Sequence, residues 1–229
     1  MVVFLNLLAF LKEPSIVEFK RFHKKSILRA FRQFIIFDLL LLFIWGSINA
    51  FLIYIFDDLH NLITNRNISN HQVLSRFFIV TILAPILEEL TFRLWLRVNK
   101  INVSISLAVF IALILKITGV LDVQLWIRVF LILPIGIFLY YILSELHLSI
   151  LKKRFKVFVY FNFVSFGILH AFNYNFINFT DYFFIPHLIF TQIALGIYLS
   201  YSRLKYGFIY ALLIHVFHNS FLQLLGVIF

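Results

Sequence analysis

The sequence predicts an all-α, polytopic transmembrane helix bundle of about seven spans, and three observations lead there. Of 229 residues, 62% are hydrophobic and 13% are charged, whereas a soluble domain carries about a quarter charged residues. The mean hydropathy is +0.98. Apolar stretches long enough for helices follow one another along the chain, and open strands could not cross lipid because their backbone groups would stay unpaired. The length leaves room for roughly seven or eight helices of about 20 residues and none for a sizeable soluble domain. Cysteine is absent, which excludes disulfides, thiolate zinc sites and a cysteine nucleophile together.

Met1–Leu11 are apolar but short and carry no basic leader, so they read as an interfacial helix rather than a cleaved signal peptide. Lys12–Arg32 follow as a basic juxtamembrane segment, which makes 1–33 one interfacial unit. Residues 34–229 form one transmembrane domain without an internal repeat or a Ser- or Gly-rich linker. Its apolar stretches are Phe34–Phe56, Val73–Lys100 (long, with a polar interior), Ile101–Val120, Val123–Leu143, Val157–Asn173, Phe183–Ser200 and Phe208–Phe229.

Sixteen of the twenty basic residues fall in one set of connections, at Lys12–Arg32, Arg93–Lys100, Lys152–Lys156 and Arg203–Lys205. The opposite set holds Arg66, Arg76, Lys116 and Arg128 beside Asp57, Asp58, Asp122 and Asp181. The positive-inside rule then expects a cytoplasmic N-terminus and an outer C-terminus. The net charge of +10 thus reports orientation and contact with anionic membrane lipids, not nucleic acid, because no single accessible face gathers it. Richness in Phe, Ile, Leu, Asn and Lys suits an AT-rich prokaryotic genome, hence a prokaryotic inner or plasma membrane.

An ionisable group inside a span costs a few kcal/mol and needs a partner or a function. The second stretch holds the run Leu83 to Arg93, with Glu88 and Glu89 adjacent. Glu89 and Arg93 are four apart and share a helix face, so they can pair. Glu88 points about 100° away and has no partner on its own helix; a carboxylate partly withdrawn from water is a competent general base. Pro85 removes the N–H that would bond the Thr81 carbonyl and is expected to bend the helix beside the site. The fifth stretch carries Phe166 and His170, with Asn173 beyond. The seventh carries His215, His218 and Asn219, the first and last on one face. A lone intramembrane His is often a hydrogen-bonding strut, and His187 and His218 are read that way.

Depth singles out the others. For straight helices, Glu88 lies roughly 18 Å from Lys100, His170 roughly 21 Å from Lys156, and His215 and Asn219 roughly 15 and 21 Å from Lys205. A carboxylate, two imidazoles and an amide are therefore expected at about one level on three helices. A Glu and a His sharing a water can deprotonate it, and a second His with an Asn can donate to the oxyanion formed when water attacks an amide. There is no His-Glu-x-x-His or Gly-x-Ser-x-Gly motif and no pair of intramembrane aspartates in Gly-rich settings. The residues alone also admit a divalent metal on Glu88, His170 and His215, with Asn as the fourth group favouring a water-activating Glu. They admit proton-coupled transport too, although the repeated halves usual in transporters are absent.

Glu88-Glu89-x-x-x-Arg93, Phe166-x-x-x-His170 and His215-x-x-x-Asn219, in that order and each in an apolar helix, resemble the CPBP intramembrane glutamic proteases. That family includes CAAX prenyl endopeptidases and Abi-type bacterial proteins of bacteriocin processing and self-immunity. Ala84-Pro85 and the run from Gly196 through Gly207 to His215 extend the resemblance, which covers about 73–100 and 157–229. It implies an endopeptidase without a cofactor, in which Glu88 and His170 activate water and His215 and Asn219 form the oxyanion hole. Glu89, Arg93 and Phe166 would support the motif, and the substrate would be a membrane-associated or lipidated peptide. Two features depart from the family pattern: two additional spans at 101–145 between Glu88 and His170, and Leu94 where a Gly commonly follows the Arg. A non-catalytic immunity or scaffold role is the alternative expectation.

Overall fold

The computed structural model describes residues 2–14, 24–64, 77–120, 125–176 and 179–225. Lys20, Arg21, Arg66, Arg76, Asp122, the start of the second stretch at Val73 and its seventh counterpart's end at Phe229 lie outside the described residues. The regular elements among the described residues are all helices.

Helix α1 (Val2–Lys12) buries Leu7 and Phe10 and leaves Leu5 and Leu8 exposed. Its Phe10 ring meets Tyr201 edge-on at 5.8 Å. Helix α2 (Lys24–Ile55) is continuous over 32 residues, so the boundary expected at residue 33 falls inside it. The reason is local: no Pro or Gly interrupts Lys24–Arg32, and Ala30 and Phe34, one turn apart, are both fully buried. Helix α3 (Asp57–Thr64) is short and buries Leu59 and Leu62.

The long second stretch is not one helix. Helix from Phe77 widens into a π-helical segment, Ile79–Leu83, and continues as α4 (Ala84–Phe92). A 3-10 turn, Leu94–Leu96, follows. Asn99 then opens α5 (Lys100–Ile117), its Oδ1 accepting from the Asn102 N–H at 2.9 Å. The continuous helix expected from Glu88 to Lys100 is thereby corrected. Its physical cause is remote: the Arg203 guanidinium takes the carbonyls of Arg93 and Leu94 at 3.0 and 3.4 Å, groups a continuing helix would have used itself.

Helix α6 (Leu125–Ile142) gives way to α7 (Glu145–Lys153) through a 90° bend. The basic connection expected there is thus itself helical. Glu145 in its first turn and Lys152 and Lys153 in its last oppose the helix dipole favourably. Helix α8 (Phe155–Ala171) leads through a 3-10 segment, Phe179–Phe184, to α9 (Ile185–Tyr206). Gly207, at φ +115°, turns the chain directly into α10 (Phe208–Leu224), a conformation L side chains rarely adopt.

Helix α9 is central. Its Leu195, Tyr198 and Leu199 are buried in a core built with Phe34, Phe37, Phe92, Val159, Phe163, Phe166 and Ile214. The outer faces carry exposed Phe43, Phe51, Phe130, Phe138 and Phe161, an apolar surface unlike that of a soluble monomer. Among the described residues, three helices are long and apolar enough to cross a membrane, Leu28–Ile55, Lys100–Ile117 and Phe179–Tyr206; the bent pair Phe130–Ile142 and Glu145–Lys153 makes four if it counts as one. Helices α8 and α10 are apolar but only 17 residues long.

Candidate active site

Three of the four expected catalytic side chains meet. Glu88 Oε2 of α4 lies 3.8 Å from His170 Nε2 of α8 and 3.5 Å from His215 Nε2 of α10. Glu88 and His170 keep 22% and 20% of their side chains exposed against 2% for His215, while the Glu88 Oε2 atom that faces both rings is itself buried.

The second nitrogen of each ring fixes its tautomer. His170 Nδ1–H donates to the Phe166 carbonyl, one turn back on α8, at 2.7 Å. His215 Nδ1–H donates to Glu89 Oε1 at 2.9 Å. With each Nδ1 donating, the Nε2 atoms of both rings face the Glu88 carboxylate, as acceptors in the neutral ring and as donors in the protonated one. A water, which both donates and accepts, fits such a set.

Glu89 and Arg93 are fully buried and lie 3.4 Å apart as an i,i+4 pair. The Arg93 guanidinium sits 4.1 Å from the Phe166 ring centroid, so Phe166 supports the cation by its π face. The same ring lies 4.6 Å from His170 and 6.0 Å from His215. Gly196 of α9 makes this approach possible: a Cβ there would stand 3.1 Å from Phe166 Cδ1 and 3.5 Å from Arg93 Nη2. A chain from Arg93 through Glu89 to His215 thus orients the imidazole, as a buried Asp does in hydrolase triads.

Asn219 is placed differently from the expectation. It follows His215 by one turn, but its Nδ2–H donates to the Val80 carbonyl at 3.0 Å. That carbonyl has lost its usual backbone donors, because the Ala84 N–H reaches five residues back to Ile79 and Pro85 has none. Just before Pro85 the helix widens into this π segment, which places one backbone acceptor beside α10. Asn173 is exposed in the turn that ends α8.

Three contributors are not singled out by the sequence. Arg203, counted among loop charges, is 6% exposed; it terminates α4, and its guanidinium-to-carbonyl contacts signal nothing locally. Ser106 of α5 donates to the Leu90 carbonyl at 2.7 Å. Asp38 of α2, an acid inside an apolar run, pairs with His218 at 2.8 Å; its isolation in that run was the available signal. His187 bonds Asn49 at 3.0 Å and stacks on Trp45, a strut between α9 and α2. Among the described residues, no group of three or more His, Asp or Glu side chains has the geometry to hold a metal ion. No protein-family model matches the chain, and comparison with curated proteins and with solved structures gives no match either.

Proposed function

We propose that the chain is a multi-pass intramembrane endopeptidase of the CPBP glutamic type, with about seven spans and a cytoplasmic N-terminus in a prokaryotic cell membrane. The observation that carries this is the convergence of Glu88 Oε2 with the Nε2 atoms of His170 and His215 at 3.8 and 3.5 Å. Water held by Glu88 and His170 passes a proton to the carboxylate as its oxygen bonds the amide carbon, and the carbonyl electron pair moves onto oxygen. His215, as an imidazolium with Glu89 as counter-charge, donates to that oxyanion; the second amide hydrogen of Asn219 is the further donor. Collapse restores the C=O bond and breaks the C–N bond. The proton held by Glu88 goes to the leaving nitrogen, giving a carboxylic acid and an amine.

A membrane-associated or lipidated peptide is the proposed substrate class. One observation favours the second reading, a non-catalytic immunity or scaffold protein: the Asn219 amide is bonded to backbone. Purified chain and its Glu88→Gln variant, assayed against a panel of peptides and lipidated peptides, test the first reading. Cleavage by the wild type and its loss in the variant are expected, and undiminished cleavage by Glu88→Gln overturns the mechanism. Protection or signalling in cells that survives Glu88→Gln with His170→Ala transfers the case to the second reading.

A further inference from the structure

A second carboxylate–imidazole pair lies outside this cluster. His218 Nδ1–H donates to Asp38 Oδ1 at 2.8 Å, and the two residues are 5% and 2% exposed. Asp38 is the only charged residue of α2 beyond Arg32, about 15 Å along the helix from Leu28. Around it, Phe34 meets the His218 ring at 6.1 Å and Phe37 stacks on Tyr198 at 4.8 Å. Burying a hydrogen-bonded polar pair among aromatic rings gains little stability over apolar side chains of equal volume, and the best-attested return for it is a fixed register.

Helix α10 needs such a device. It has 17 residues, and in lipid no hydrophobic drive selects one apolar face over another. Within five positions it carries three polar side chains, each with a partner on a different segment. His215 bonds Glu89 of α4, Asn219 bonds Val80 of the π segment, and His218 bonds Asp38 of α2. His218 is turned about 60° from His215 around the helix. Its bond therefore grips α10 from the α2 side while the other two face the Glu-bearing segment.

The geometry points to the Asp38–His218 pair as what fixes the rotation of α10 and so aims His215 at Glu88; both are positioning residues. The proposed site supplies the catalytic consequence, but the orientation of His215 can be read without a substrate.

The test uses the full chain in lipid nanodiscs with ¹⁵N-labelled histidine, the resonances of the 8 His assigned by single substitutions. Asp38→Leu with His218→Leu replaces the pair by apolar side chains, for which wild-type thermal stability is expected. Loss of the Glu89-bonded Nδ1–H resonance of His215 is expected in that variant. Asp38→Asn, which keeps an acceptor for His218, retains the resonance. Persistence of the resonance in the leucine pair, or its loss in Asp38→Asn, overturns the proposal. Asp38→Ala, read the same way, decides if the leucine pair does not fold. A wild type that cleaves nothing while the leucine pair loses the resonance removes the peptidase reading and leaves the positioning role standing. Cleavage by a leucine pair with an unchanged resonance does the reverse.

Discussion

Asn219→Ala is expected to destabilise the folded chain by about 1–2 kcal/mol, and by much less when Pro85 is also Ala. The magnitude follows from where the Val80 carbonyl finds its donor. Ala84 N–H is committed to Ile79, Pro85 has no N–H, and Asn219 Nδ2 supplies the bond at 3.0 Å. Stranding a buried acceptor costs about 1–3 kcal/mol. Interhelical hydrogen bonds in membranes average only about 0.6, with a maximum near 1.7, because the dissociated helices find other partners. The segment carrying Val80 cannot do so readily, since the missing donor is a proline of its own, and this selects the upper part of that range. Pro85→Ala restores an N–H five residues beyond Val80, the register in which Ala84 already bonds Ile79. Equilibrium unfolding of the four chains in mixed micelles closes the double-mutant cycle, with a coupling of about 1 kcal/mol expected. Equal costs for Asn219→Ala in both backgrounds would refute the assignment of the Val80 carbonyl to Asn219. An Asn219 that served only as an oxyanion donor would change the cleavage rate and leave stability untouched.

Glu88→Gln should leave stability within about 0.5 kcal/mol of wild type, because the amide keeps the side-chain volume and the buried Oε2 it replaces makes no hydrogen bond among the described residues. Glu89→Gln should cost about 3–5 kcal/mol by leaving Arg93 buried without its counter-charge; thermal unfolding in detergent compares the two, and equal costs contradict the division of roles. Gly196→Ala should cost about 1–3 kcal/mol by overpacking, with the new Cβ 3.1 Å from Phe163 Cβ and Phe166 Cδ1; unchanged stability shows that α8 and α9 can separate freely. Arg203→Lys should release the end of α4, read as faster amide exchange at Leu96 and Arg97 with exchange in α2 unchanged; equal protection in both chains rejects the capping role.

What could be read from the sequence follows from what lipid excludes. Glu88, His170 and His215 stood out because each is a polar group in an apolar run, and their depths along three helices could be counted. The break after Phe92 could not be counted. It depends on Arg203, 110 positions away, whose charge reads as an ordinary loop residue until its guanidinium is seen on two backbone carbonyls. Asp38 stands alone in its apolar run, but its partner cannot be read locally, because His218 lies 180 positions on. Helix α7 was hidden by scale, since nine residues ending in Lys152 and Lys153 carry too few apolar positions to separate a short amphipathic helix from a basic loop.

The Glu88-bearing segment is short, and its shortness bears on how the site works. Helix α4 has nine residues, far fewer than the about 20 that cross a bilayer, and its backbone leaves the α register at both ends. At membrane depth such departures are tolerated only where protein or water meets the freed polar groups. Here side chains of three other helices meet them: Asn219 takes Val80, Ser106 takes Leu90, and Arg203 takes Arg93 and Leu94. Glu88 is therefore positioned by α5, α9 and α10 more than by the length of its own helix. Two of the contacts to α10, Val80 to Asn219 and Glu89 to His215, lie on either side of Glu88 in sequence. A slide or rotation of α10 against α4 must strain both while it changes the 3.5 Å separation of Glu88 and His215. Under the proposed function, substrate entry that moved α10 would disassemble the cluster, and the expected approach is past His170 and Glu88, whose side chains are 20% and 22% exposed against 2% for His215.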